Sequence, residues 1–224
     1  MITAGMLGVL AGAALWMDRV FLFQFMVSRP VIMGPLIGLV MGDPRVGIMV
    51  GASLELLWLN SPPVGAYLPH DESFCTAVAV PVAIAACRGM DPAAASGFAI
   101  LLSLPTAMAG RILDTRLRTM NEGLIPPGTE AGERDVSMAL GKAVLRAFLL
   151  ALTAILLCVA VISAAAVFLG ALLPDIVVKA LKLMPFACVV VGLAALVSRE
   201  MPRKLHAGLF AVGMVLVILL AWMW

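Results

Sequence analysis

Residues 28–72 read SRPVIMGPLIGLVMGDPRVGIMVGASLELLWLNSPPVGAYLPHDE, and this stretch decides the fold. Its two apolar runs, 31–42 and 47–59, are broken by glycines, prolines, Asp43 and Arg45. Each falls well short of the roughly 20 apolar residues that a helix needs to cross a bilayer core. Glu55 nevertheless lies inside the second run. Non-helical backbone at membrane depth survives only where protein or a water-filled cavity covers it. Paired short, interrupted apolar segments are the sequence sign of a transport site.

The rest of the chain supplies the membrane context. It is 63% hydrophobic and 12% charged, where soluble domains run near about 45–50% apolar and about 25% charged. That composition predicts an all-α, polytopic integral membrane protein, with re-entrant or broken helices in its N-terminal half and almost nothing left for a soluble domain. A net charge of +2 is too small for a nucleic-acid partner. Residues 1–17 lack a basic start and a small-residue cleavage site, so they are expected to be the first membrane segment and not a cleavable leader. Cys75, Cys87, Cys158 and Cys188 lie in apolar surroundings with no C-x-x-C, and read as small buried residues. Neither a metal site nor a cofactor is expected.

Along the chain, 2–17 reads as a helix ended by Asp18-Arg19, and 21–27 as an aromatic-rich interfacial piece. Residues 74–87 are apolar with Pro81 inside, and 92–110 form a helix with Pro92 in its first turn and Asp91 as cap. The long polar segment 111–146 holds Arg111, Arg116, Arg118, Arg134, Lys142 and Arg146, with a turn at Pro126-Pro127-Gly128. Residues 147–173 are long enough to span with tilt. Pro174-Asp175 breaks the chain, 176–198 form a helix bent at Pro185, and 205–224 form the last span, ending in Trp222 and Trp224. The basic segments 111–146 and 199–206 are expected to be cytoplasmic loops.

No P-loop, H-E-x-x-H or G-x-S-x-G motif occurs, so no catalytic residue is assigned and phosphoryl chemistry would have to come from another chain. Glu55 is the sharpest candidate. A charge at membrane depth costs roughly 2.5–3.5 kcal/mol on insertion scales and tends to face a cavity. Helical spacing sets Gly51 and Ala52 on its face and Trp58 one turn away. A carboxylate beside an aromatic plane suits a sugar, accepting its hydroxyls and stacking on its C–H groups; a structural ion pair is the other reading. Asp71 either accepts substrate hydroxyls or caps the helix that begins near Phe74. Asn60 and Gln24 are placed as supporting amides. Arg29 either neutralises a carboxylate or snorkels. Glu72 reads mainly as part of the cap, and His70 as interfacial.

The stretch 29–71 resembles the IIC subunit of mannose/fructose/sorbose-family phosphotransferase systems. The resemblance rests on S-R-P (28–30), G-P-L-I-G-L-V-M-G-D (34–43), G-I-M-V-G-A-S-L-E-L (47–56), V-G-A (64–66) and P-H-D (69–71), and continues more weakly at Arg118, Asn121 and Gly141. It extends over nearly the whole chain, 1–224, with 28–72 as the specific region. The resemblance implies a multi-pass permease subunit of the bacterial cytoplasmic membrane, working beside a IID subunit in a hetero-oligomer. It further implies that a mannose-type hexose is bound and passed inward by an elevator-like motion while separate IIB and IIA proteins relay phosphate from phosphoenolpyruvate. Two departures border the presumed site: Pro69-His70-Asp71 where the family usually has Pro-Pro-Asp, and two extra residues between Phe23-Gln24-Phe25 and Arg29-Pro30. The rival readings are an ion-coupled secondary transporter using Glu55, and a non-transporting scaffold or sensor subunit.

Overall fold

The computed structural model describes residues 2–59, 69–125 and 132–200, together with Gly208 and Val215. Among these the regular structure is helical throughout, without strands. Helix α1 (Ile2–Trp16) tightens into a single 3-10 turn, Met17–Arg19, as Asp18-Arg19 predicts. Helices α2 (Pro30–Met41) and α3 (Pro44–Leu57) form a close hairpin. Each opens on a proline, whose missing N–H costs nothing in a first turn. Gly42 ends α2 at φ 87°, and the Asp43 carboxylate accepts from Val46 N at 3.2 Å, so the expected turn and cap are present.

The glycines that interrupt these runs are the hairpin's contact surface. A Cβ on Gly34 would stand 2.5 Å from Gly47 O, and one on Gly38 would stand 2.7 Å from Asp43 O. Gly47 and Gly51 leave no more room against the carbonyls of Gly34 and Pro30. In lipid, where apolar surface gives helices no reason to associate, such close backbone approach is what holds them together. It also fixes the first turn of α2 against the last turns of α3, which brings Arg29 to Glu55.

Helix α4 (Glu72–Ala86) is the centre of the molecule. Every residue from Ser73 to Ala83 is buried, and α1, α2 and α3 pack around it together with three later helices. These are α5 (Pro92–Ser103), α6 (Thr106–Glu122) and α7 (Glu133–Gly170). At 1.5 Å per residue α4 is about 22 Å long, short of a bilayer core of about 30 Å. It is walled by protein, so it can be short and can contain Pro81.

Helix α5 starts on Pro92, with Asp91 accepting from Ala93 N at 2.9 Å, and meets α6 at 44°. Helices α8 (Asp175–Leu181) and α9 (Met184–Glu200) meet at 45°. The bend expected at Pro185 falls at residues 182–183 instead. Pro185 sits in the first turn of α9, where a proline is tolerated, and the break precedes it. Among the described residues α7 alone is long and apolar enough to cross a membrane, and up to three spans result if each bent pair counts as one. The expected span 205–224 lies outside the described residues except at Gly208 and Val215.

The polar segment 111–146, expected as a loop, is largely helical where it is described, and the turn expected at 126–128 lies outside the described residues. α6 continues to Glu122 and α7 begins at Glu133. Its Arg, Leu, Met and Lys residues are good helix formers. Arg118 pairs with Asp114 one turn back at 3.3 Å, and Arg146 donates to Met120 O at 2.8 Å across the two helices.

Candidate functional site

Charged side chains converge on the N-terminal end of α4. Asp71 caps that helix: its Oδ1 accepts from Phe74 N at 2.8 Å. Its Oδ2 accepts from the Trp16 indole at 2.8 Å and lies 2.6 Å from Arg19 Nη1, close enough for an ion pair although not aligned as a hydrogen bond. The Asp71 backbone N–H donates to Ala107 O at 2.9 Å. Gly110 makes room for this arrangement, because a Cβ there would stand 2.7 Å from Asp71 Cβ and 2.5 Å from Phe74 Cβ. Asp71 is 0% exposed and both its oxygens are engaged. In this conformation it ties α1, α4 and α6 together.

Glu55 and Glu72 share one cation. Arg29, at the head of α2, donates from Nε to Glu55 Oε1 at 2.9 Å and again from Nη2 to the same oxygen. Its Nη1 lies 3.2 Å from Glu72 Oε1. Among the described residues Glu55 Oε2 has a single long contact, 3.4 Å from Val31 N, at the N-terminus of α2 where a helix favours negative charge. The Glu55 and Glu72 side chains are 13% and 18% exposed. Unlike Asp71, each keeps acceptor capacity on its second oxygen among the described residues. The group can therefore receive a ligand rich in O–H or N–H donors, held by charge-assisted hydrogen bonds.

The other expected residues fall as follows. Trp58 caps the end of α3, half-buried, with its backbone N–H on Leu54 O at 3.2 Å, one turn from Glu55. Asn60 lies outside the described residues. Gln24 is exposed and its amide donates to Val20 O at 3.1 Å, within its own loop and not to the charge cluster. That loop is held by Asp18, whose carboxylate accepts from Phe25 N at 2.9 Å, Val27 N at 2.8 Å and Ser28 N at 3.3 Å. The same loop carries Phe23, Gln24 and Met26 at positive φ. Of the two readings open for Arg29, the geometry has it neutralising carboxylates.

Sequence reasoning passed over Trp16, Arg19 and the shared role of Glu72. The available signal was Trp16-Met17-Asp18-Arg19, polar groups ending an otherwise apolar helix. Among the described residues no cluster of three or more His, Cys, Asp or Glu side chains is placed to hold a metal ion.

A family model described as "PTS system sorbose-specific iic component" matches residues 1–223. The chain belongs to this family of phosphotransferase-system IIC components. The mannose-specific EIIC component of Escherichia coli K12 is 25% identical over 180 residues, covering 78% of this chain and 65% of that protein. The fructose permease IIC component of Bacillus subtilis strain 168 is 27% identical over 175 residues, 76% of this chain and 62% of its own length. A putative N-acetylgalactosamine permease IIC component 2 of E. coli K12 is 38% identical over 82 residues, 37% of this chain and 60% of the relative. The match thus spans less than two thirds of the length of these curated relatives.

The IIC fold is also seen in solved structures. One described as "Structure of membrane protein" superposes with a TM-score of 0.68 at 21% identity, covering 99% of this chain and 96% of the other. A cryo-EM structure of the mannose transporter ManYZ with microcin E492 superposes at 0.56 and 22% identity, covering 97% of this chain and 87% of that one. The chain is a helical membrane protein of the IIC fold, with bent helix pairs.

Proposed function

We propose that this chain is the IIC permease subunit of a phosphoenolpyruvate-dependent sugar phosphotransferase system in a bacterial cytoplasmic membrane. It binds a hexose at the head of α4 and passes it inward for phosphorylation by a IIB protein. The observation that carries the reading is the family match over residues 1–223, joined to a cluster in which, among the described residues, Glu55 and Glu72 keep acceptors free at the end of a helix walled by protein. Glu55 accepts sugar hydroxyls, Trp58 offers the ring face, and Asn60 and Gln24 assist. Asp71 supports the site by fixing the start of α4. The membrane partner is a IID subunit, as the name ManYZ of a structural neighbour's complex suggests. IIB and IIA supply the phosphorelay.

The deciding experiment combines the chain with its IID, IIB and IIA partners and measures phosphoenolpyruvate-dependent sugar phosphorylation. Phosphorylation should require this chain and IID together. Activity without this chain, or uptake that ignores IIB and collapses with an uncoupler, would sink the reading. In the same system Glu55→Gln should leave membrane abundance unchanged and weaken sugar binding by about 1.5–3 kcal/mol, the scale of a hydrogen bond to a charged group. Unchanged affinity in Glu55→Gln would remove it from the site. Residues 111–146 should face the cytoplasm: in a cysteine-free background, Ser137→Cys on the exposed start of α7 should react with an impermeant thiol reagent only in opened cells.

A further inference from the structure

The opposite end of α4, about 20 Å from the charge cluster by helix rise, carries a different feature. A cavity of about 460 Å³ opens between the last turn of α4, the turn into α5 and the C-terminal part of α7. Val82 and Ala86 of α4, Met90 beyond it, and Ala166 and Gly170 of α7 form its apolar walls. Arg88 also lines it and is exposed.

The cation at this rim has no counter-charge among the described residues. Among the described residues Arg88 forms neither an ion pair nor a side-chain hydrogen bond. Two acids lie near this end and each already serves as a cap: Asp91 accepts from Ala93 N at 2.9 Å and faces Lys182 at 3.5 Å, and Asp43 accepts from Val46 N at 3.2 Å. Level matters too. Gly170 and Ala171, where the apolar run of α7 ends, share the cavity with Arg88. The guanidinium therefore stands where an apolar span gives way to headgroups, and the walls behind it belong to the hydrocarbon side.

We propose that this cavity binds an anionic phospholipid, with its phosphate on Arg88 and an acyl chain between α4 and α7. A free phosphate would satisfy the guanidinium and leave the apolar walls uncovered. A partner's apolar helix would cover the walls and bury an arginine without an acid. An anion with a hydrocarbon tail meets both requirements, since a guanidinium and a phosphate form charge-assisted, often bidentate hydrogen bonds.

The test is native mass spectrometry of the purified full chain in detergent, titrated with phosphatidylglycerol and with phosphatidylcholine of identical acyl chains. Phosphatidylglycerol should bind about fivefold more tightly, the weight of one basic residue facing an anionic lipid. Arg88→Gln should abolish the preference while phosphatidylcholine still binds, and Arg88→Lys should keep it. Gly170→Leu, which fills the groove, should weaken both lipids. Unaltered elution and melting temperature show that each variant is folded, and Arg88 is exposed enough for its replacement to be mild. Equal binding of the two lipids, a preference that survives Arg88→Gln, or displacement of phosphatidylglycerol by inorganic phosphate would overturn the proposal. So would a co-purifying membrane subunit that excludes lipid and is released by Gly170→Leu.

Discussion

Helices α4 and α7 are both apolar and stand side by side, yet they solve opposite problems. α4 has 15 residues with an unbroken buried run from Ser73 to Ala83. α7 has 38 residues, of which Ala147, Ala151, Ile155 and Ala166 are buried, and Leu157, Val161, Val167 and Phe168 are well exposed. Lipid requires α7 to satisfy its backbone alone over a full bilayer thickness. α4 is buried in protein from Ser73 to Ala83, so it can stop short, contain a proline and begin on two carboxylates. Length and hydropathy therefore identify the helix that faces lipid, and miss the one around which the molecule is assembled.

The most severe way to break that contrast is Asp71→Ala. It removes the cap of α4 and leaves Arg19 facing an empty place; stripping one partner from a buried ion pair costs about 3–5 kcal/mol. The variant should barely accumulate in membranes, and Asp71→Asn, which can still cap, should be less affected. Normal abundance and melting temperature for Asp71→Ala would mean that packing alone positions α4.

A gentler pair of substitutions sharpens the same point. Gly47→Ala forces a methyl group against the α2 backbone and should destabilise by about 1–3 kcal/mol, the range for overpacking. Gly141→Ala, on the exposed start of α7 with nothing within 4 Å of its Cβ, should stabilise by about 0.5–1 kcal/mol through helix propensity. Thermal melting of the two purified variants reads the difference in sign; equal shifts would contradict the contact between α2 and α3.

The smallest effect concerns Asp91, which caps α5 in the open as Asp71 caps α4 in burial. The Ala93 N–H, aided by Lys182, holds the Asp91 carboxyl below its ordinary value. A depressed carboxyl contributes stability that is fully present above its unfolded pKa and is lost as pH falls through the lowered folded value. Asp91→Asn should therefore flatten slightly the fall of melting temperature on acidification, leaving the neutral value nearly unchanged. An acid slope identical to that of the parent protein would show the cap to be energetically idle.

Much of this architecture was legible because it is local. Pro30, Pro44 and Pro92 announce helix starts, and Asp43, Asp71 and Asp91 cap helices within two or three residues of themselves. Long-range pairings were not legible. Trp16 and Asp71 meet across 55 positions, and no spacing rule connects the end of one helix to the head of another. Glu55 stood out by its apolar surroundings, whereas Glu72, one position from an obvious cap, was masked by that cap. Residues 111–146 read as a loop because they are polar and basic between apolar runs, although helix propensity and the Arg118–Asp114 pair favour helix.

The bent joint between α5 and α6 has a mechanical consequence. Ser103 O accepts from Thr106 Oγ1 at 2.6 Å and from Cys75 Sγ at 3.2 Å, Ala107 O accepts from Asp71 N, and Gly110 sits under Asp71 and Phe74. The joint is riveted to the head of α4, so the 44° angle is a bracket more than a swivel. α6 then works as a lever about 25 Å long by its helix rise. Its far end is the polar tip that Arg146 grips at Met120, and its fulcrum lies beside the charged head of α4. Torque applied at the tip is delivered to the seat of Asp71.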